Sequence, residues 1–131
     1  MVDDQKIRKI LALHKIAVVG MSRDPSKAAH YVPKYLQENG YEIVPVNPAA
    51  EKILGLKCYD SILSVNADIV EIFRPSELVL SFVQDAIKIR PKVIWLQEGI
   101  HSKQAENLAR ENKIDMVYDR CMMAEHKRLC A

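Results

Sequence analysis

The amino-acid sequence predicts an α/β fold, a Rossmann-like doubly wound five-stranded parallel sheet, in a single domain spanning residues 1–131. Two observations predict this fold. Five short runs rich in β-branched and other apolar residues recur along the chain, and the segments between them change to helical spacing. Alternation of strand and helix along a whole chain is typical of a parallel sheet covered by helices on both faces.

The five predicted strands occupy residues 15–20, 41–46, 68–73, 92–97 and 114–118. Successive runs are far enough apart for the crossover helix that a parallel connection needs. The near-continuous apolar character of residues 15–20 is typical of a strand covered on both faces. Pro45 has no N–H to donate, so it predicts a missing ladder hydrogen bond near the end of the second strand.

An amphipathic helix is predicted over residues 3–14, before the first strand. Its apolar face consists of Ile7, Ile10, Leu11 and His14. These residues recur at the three- and four-residue spacing that places side chains on one side of a helix. The helix is therefore expected to pack on the outside of the sheet.

The first crossover helix is predicted to place Val32, Tyr35 and Leu36 against the sheet. Pro33 is expected in its first turn, where a missing N–H costs little, and Gly40 is expected to end it. The second crossover has its apolar stripe at Val79, Phe82, Val83, Ala86 and Ile87.

Two later helices have predicted N-caps. Ser76 precedes the apolar stripe of the second crossover, and Ser102 precedes a weaker stripe at Ala105, Leu108 and Ala109. A serine hydroxyl at that position satisfies an unpaired backbone N–H of the first turn. Residues 52–64 fit a short helix and an irregular connection equally well, so both interpretations stay open.

Composition and charge argue against several classes of protein. The net charge is +2, with acids and bases interspersed, so the chain has no charge run typical of nucleic-acid binding. Its apolar stretches, about six residues at most, are too short to cross a bilayer. The three cysteines are odd in number and lack metal-ligand spacing, so neither a disulfide framework nor a metal site is expected. A cytoplasmic protein is the default expectation.

The loop after the first strand, residues 20–27, has the side chains of a phosphate site. Gly20 lets a ligand approach the backbone closely, and Ser22 offers a hydroxyl. Arg23 offers two parallel hydrogen bonds to a phosphate, and Lys27 adds a mobile positive charge. The N-terminus of the following helix would also attract an anion. The alternative is an ordinary polar turn in which Arg23 pairs with Asp24.

The loop matches neither of the common phosphate fingerprints, GxGxxG and GK[ST]. A site for NAD usually has a carboxylate about 20 residues further on, which binds the ribose hydroxyls. Here the second strand runs into Asn47 and Pro48, and the next acid is Glu51. The sequence therefore disfavours NAD as the ligand.

Several motifs lie at or just after the ends of predicted strands. They are residues 19–23, 40–41, 45–48, 73–75, 95–99, 119–121 and 125–126. With these motifs in this order, the chain resembles the small CoA-binding domain proteins. That family is similar to the CoA-binding domain of the succinyl-CoA synthetase α subunit. The resemblance covers residues 15–129 and implies coenzyme A as the cofactor.

The resemblance also implies a set of contact residues. They are Gly20, Ser22, Arg23 and Lys27 at the pyrophosphate, Val46, Asn47, Pro48, Phe73, Arg74 and Pro75 around the nucleotide, and Gln97 and Gly99 beside the pantetheine arm or ribose. The ribose 3′-phosphate of CoA needs a cation, for which Arg74 and Lys52 are the candidates.

Catalysis is not implied by the resemblance. The synthetase uses a phosphorylated histidine from a second domain, which this chain is expected to lack, and no catalytic residue is assigned. The sequence predicts a noncovalent binder of CoA or an acyl-CoA that acts as a carrier, a sensor or a module dependent on a protein partner. The alternative is an enzyme, either a CoA–disulfide redox protein using Cys121 or an NAD(P)-dependent oxidoreductase. The acyl group, the partner and the oligomeric state stay open.

Overall fold

The computed structural model describes residues 2–130 and has a parallel sheet at its centre. The strands in this part of the chain are β1 (Lys15–Val19), β2 (Glu42–Val46), β3 (Lys52–Ile53), β4 (Leu56–Lys57), β5 (Ile69–Ile72), β6 (Val93–Leu96) and β7 (Asp115–Val117). The helices are α1 (Asp4–Leu11), α2 (Ala28–Glu38), α3 (Val79–Lys88), α4 (Lys103–Glu111) and α5 (Met122–Leu129). None of these helices is long and apolar enough to span a membrane.

The sheet has the order β2-β1-β5-β6-β7, and all four of its pairings are parallel. All five predicted strands and the fold class are confirmed. The chain first moves outward from β1 to β2 and then returns to the other side of β1 at β5. The strand order therefore reverses between β1 and β5, which is where open α/β sheets bind ligands.

Alternate residues of each strand supply two hydrophobic cores, one on each face of the sheet. Ile16 and Val18 of β1 face the core beneath α1, α2 and α5, whereas Ala17 and Val19 face the core beneath α3 and α4. Trp95 of β6 is fully buried, and its indole N–H donates to the Arg120 carbonyl at 2.8 Å. Both faces are thus covered, as the apolar strands require.

The N-terminal helix is shorter than predicted. It begins after Asp3, whose carboxylate accepts the Lys6 N–H at 2.9 Å, and it ends at Leu11. Ile7 and Leu11 are buried as expected, with Ile10 between them. The placement of His14 on this face was wrong, because the chain has already left the helix to enter β1. The His14 side chain is 67% exposed.

The end of α2 has the geometry predicted for Gly40, which has a φ of +95°. The Tyr41 and Gly40 N–H groups donate to the Leu36 and Gln37 carbonyls, each at 3.1 Å. This pair of bonds is the Schellman motif that ends many helices. Pro33, in contrast, is not in the first turn as predicted but is the sixth residue of the helix.

The two serine caps have different outcomes. The Ser102 hydroxyl accepts the Ala105 N–H at 3.2 Å and caps α4 as predicted. Ser76 does not cap α3, whose cap position is Leu78. The Ser76 hydroxyl instead accepts the His101 N–H at 3.0 Å, so a contact with the connection after β6 takes the place of the local cap.

Residues 52–64 contain a hairpin that neither open interpretation predicted, and a short helix is present only at their end. β3 and β4 make an antiparallel hairpin, and a short 3₁₀-helix follows at Ile62–Ser64. The two turn residues, Leu54 and Gly55, have φ values of 54° and 74°. Positive φ at both positions is typical of the tight hairpin turn whose twist matches that of its strands.

Glu71 is an ionisable residue in the middle of the sheet. It lies on β5 between Val18 of β1 and Trp95 of β6, and it is completely buried. Neither of its carboxyl oxygens has a hydrogen-bond partner among residues 2–130. Because burial disfavours the charged form, the pKa of Glu71 is raised to about 8.

The free energy of unfolding should therefore decrease as the pH rises from about 4.5 to about 8, since the folded state holds the Glu71 proton more tightly than the unfolded chain. The slope due to this residue is at most about 1.4 kcal/mol per pH unit. Glu71→Gln should remove this component, whereas exposed Glu77→Gln should keep it. Urea unfolding across this pH range measures both, and equal pH profiles for wild type and Glu71→Gln would contradict the prediction.

Candidate functional site

A groove with two lobes lies over the carboxyl ends of β2, β1 and β5. The first, the apolar lobe, has a volume of about 440 Å³ and is walled by Val19, Val46, Ile62 and Phe82. The second, the loop lobe, has a volume of about 480 Å³ and is lined by residues of the β1–α2 loop together with Phe73. Gly20, Asn47 and Arg74 line both lobes, so the two are adjacent.

Gly20 allows the two lobes to meet. Its φ is +82°, and a Cβ at this position would lie 2.9 Å from the Phe73 carbonyl oxygen and 3.0 Å from Cδ of Arg74. The first of these atoms is backbone and cannot move aside. Gly20 thus has a positive φ, which glycine adopts more readily than other residues.

The polar residues of the loop bind one another in a way that leaves its cations free. The Asp24 carboxylate accepts the Ser26 N–H at 3.0 Å and the Ser26 hydroxyl at 2.7 Å. These bonds hold the pKa of the Asp24 carboxyl below its ordinary value. Among the described residues, no ion pair joins Asp24 to Arg23, so the alternative of an Arg23–Asp24 turn is not what the structure shows.

Three cationic side chains line the loop lobe. Arg23 and Lys27 are exposed and, within residues 2–130, form no ion pair. The Arg74 guanidinium lies 5.4 Å from the centre of the Phe82 ring, and its buried Nε has no hydrogen-bond partner in this part of the chain. An unpartnered buried N–H is costly unless a ligand satisfies it.

The loop lobe also has backbone donors. α2 begins at Ala28, and its cap residue Lys27 makes no side-chain hydrogen bond to the first turn. In residues 2–130 the N–H groups of Ala28 and Ala29 have no acceptor. The Ser22 hydroxyl accepts the Asp24 N–H at 3.0 Å, and its own proton remains available. The lobe thus combines cations, a hydroxyl and free N–H groups, which is the chemistry of an anion site.

Sequence reasoning missed seven residues that line the apolar lobe. Ile62 and Phe82 are among its walls, Asp60 and Asp85 are its acidic residues, and the others are Val19, Ala49 and Ser61. Asp60 reaches the groove because Tyr59 forms a parallel bridge with Val46, which brings the chain back beside the end of β2. Nothing in the sequence marks this return, since it depends on the unpredicted hairpin.

Most of the predicted contact residues come together in the groove. Those lining at least one lobe are Gly20, Ser22, Arg23, Lys27, Val46, Asn47, Pro48, Phe73 and Arg74. Four others lie outside both lobes. Lys52 lies on β3 and Pro75 on the connection after β5. The buried Gln97 accepts the Met122 N–H at 3.4 Å, and the Gly99 N–H donates to Asp119 at 2.6 Å.

Cys121, the candidate redox residue, lines neither lobe. It occupies the cap position of α5 and is half-buried against the core. His126, on the same helix, has its Nδ1 2.7 Å from the Tyr35 hydroxyl. Cys58 is buried and within electrostatic reach of the loop residue Arg23. Burial raises the pKa of its thiol, and the positive charge of Arg23 opposes that shift.

Residues 14–127 match a protein-family model described as a CoA binding domain. The uncharacterized protein YneT of Bacillus subtilis (strain 168) is 35% identical over 124 residues, covering 92% of each chain. A solved structure of a hypothetical protein from Pyrococcus horikoshii OT3 is 41% identical, with a TM-score of 0.96 over 99% of this chain and 94% of that one. The ADP-forming acetate–CoA ligase II of Archaeoglobus fulgidus is 36% identical over 98 residues, which are 72% of this chain and 13% of the ligase. The resemblance inferred from the motifs is confirmed.

Gly20→Ala should destabilise the fold by more than Gly99→Ala. Both glycines have similar positive φ, so each substitution costs about 1–2 kcal/mol of backbone strain. Only Gly20 has backbone within contact distance of an added Cβ, whereas Gly99 has nothing within 4 Å. Urea denaturation of the two variants measures the difference. Equal losses would show that the approach of Phe73 to Gly20 imposes no constraint.

Proposed function

The chain belongs to the CoA binding domain family, and from this premise we propose that it is a cytoplasmic protein that binds coenzyme A or an acyl-CoA noncovalently in the two-lobed groove. It would act as a carrier, a sensor or a module that works with a protein partner. One observation carries the proposal. The groove is apolar at one end and cationic at the other, and Gly20 joins the two ends at a strand-order reversal.

The loop lobe is the proposed site of the pyrophosphate. Arg23 and Lys27 supply positive charge, and the Ser22 hydroxyl supplies a neutral donor. The free N–H groups at the start of α2 add a partial positive charge at the same place. Because these cations have no ion pair within residues 2–130, a phosphate would not have to displace a carboxylate from them.

The apolar lobe is the proposed site of the adenine base. Its walls at Ile62 and Phe82 offer the apolar and aromatic surface that a planar base packs against. Arg74 lies between the lobes, so it can reach a phosphate from either side. Its unpartnered Nε supports a role in anion binding, and Arg74 is the better of the two candidates for the 3′-phosphate because Lys52 lies outside both lobes.

One observation favours a second candidate, an adenine dinucleotide such as NAD. The sequence argument against NAD was the missing acid after β2, yet Asp60 and Asp85 line the apolar lobe. A carboxylate there can accept hydrogen bonds from a ribose that has both hydroxyls free. The same carboxylate would repel the 3′-phosphate of CoA. The two ligands therefore predict opposite effects of removing this charge.

Calorimetric titration with CoA, NAD and ATP should show that CoA binds most tightly, since only CoA offers both a pyrophosphate to Arg23 and Lys27 and a separate 3′-phosphate to Arg74. In Asp60→Asn the CoA affinity should be unchanged or higher, because a repulsion is removed. NAD binding at equal or greater affinity in the wild type, weakened by Asp60→Asn, would instead establish the second candidate.

Arg23→Ala should weaken CoA binding by about 1.5–3 kcal/mol, the range for a lost hydrogen bond to a charged group. The fold should be unaffected, because Arg23 is exposed and without an ion pair in the described chain. Arg8→Ala, an exposed arginine on the distant α1, is the matched control and should bind normally. Unchanged CoA affinity in Arg23→Ala, with intact thermal unfolding, would remove the loop from the site.

A further inference from the structure

Pro33 lies inside α2 with its ring buried. In an α-helix the N–H of each residue donates to the carbonyl four residues earlier. Proline has no N–H, and its ring also presses against that earlier carbonyl. At Pro33 the carbonyl concerned is that of Ala29, in the first turn, so Ala29 loses its helical donor.

The Ala29 carbonyl accepts a hydrogen bond from the phosphate loop instead. The Ser22 N–H donates to it at 3.1 Å. Two further bonds hold the same stretch of loop. His30 Nδ1 lies 2.8 Å from the Ser22 carbonyl, to which it must donate, and the Asn47 side-chain amide donates to the Met21 carbonyl at 2.8 Å.

These bonds join the loop to the two elements beside it, α2 and the end of β2. The Met21 side chain is fully buried and anchors the loop from below. Ser22 precedes Arg23 in the chain, so fixing both the N–H and the carbonyl of Ser22 determines where the Arg23 side chain starts. The Ser22 N–H finds its acceptor because the helix does not use the Ala29 carbonyl.

We propose that Pro33 is a positioning residue for the phosphate loop, acting by leaving the Ala29 carbonyl free to hold the Ser22 N–H. The effect on ligand affinity rests on the proposed function, but the effect on the loop does not. Pro33 makes no direct contribution to the groove, since it lines neither lobe. Its influence is carried by one backbone hydrogen bond that another residue at this position would compete for.

The test replaces Pro33 with residues that have an N–H. Pro33→Ala restores the helical donor, and Pro33→Val does so while keeping most of the buried volume. In both variants, hydrogen exchange at the Ser22 amide, followed by NMR, should accelerate about three- to tenfold, as expected for a weakened hydrogen bond. CoA affinity should fall by a similar factor, and the melting temperature should not fall, because the substitution removes a helix breaker. Lys34→Ala, on the exposed side of α2, should change neither exchange nor affinity.

The outcomes separate this proposal from the proposed function. If wild-type protein does not bind CoA, the proposed function fails, while Ser22 exchange in the free protein still tests the role of Pro33. Unchanged Ser22 exchange in both variants would overturn the proposal. Faster exchange throughout α2 would also overturn it, since that result indicates a purely structural role. In a protein that binds CoA, affinity equal to that of the wild type in both variants would exclude an effect on the site.

Discussion

The close approach of β1 to the end of β5 is the constraint on which the groove depends. Gly20 donates its N–H to the Val46 carbonyl at 3.0 Å, and the Phe73 N–H donates to the Val19 carbonyl at 2.9 Å. These bonds continue the parallel hydrogen-bond ladders on both sides of β1 as far as Val19 and Gly20. The chain can leave the sheet there only with a positive φ and no side chain. The turn at Gly20 therefore contributes to both lobes.

Much of this architecture could be predicted because its signals are local. Each strand of the sheet is a short apolar run rich in β-branched residues, and its length and composition, rather than any alternation, distinguish it from a helix. The loop lobe was predictable for the same reason, since Gly20, Ser22, Arg23 and Lys27 lie within a single loop. Because this loop directly follows β1, its position is largely fixed once β1 has its place in the sheet.

The parts that could not be predicted depend on contacts between distant segments. Asp60 reaches the groove because the chain returns to β2 after the hairpin, and Phe82 reaches it from α3. Neither residue has a local sequence signal that predicts a place in the groove. The strands of the hairpin are two residues each, too short for a periodic pattern. Ser76 was misplaced because its hydroxyl binds the His101 N–H instead of capping α3. His14 was misplaced because α1 ends at Leu11, before the chain enters β1, although the spacing of His14 fits the helix.

The segment that walls the apolar lobe has a second consequence. The Tyr59 N–H donates to the Pro45 carbonyl at 3.0 Å, and the Tyr59 carbonyl accepts the Asn47 N–H at 2.9 Å, so this segment covers the outer edge of β2 at its carboxyl end. An open strand edge is a template on which other chains assemble. The same few residues thus shape the pocket and cover a strand edge. Redesign of the groove that shortened this segment to admit a bulkier molecule would leave the carboxyl end of β2 as an open edge on which another chain could pair.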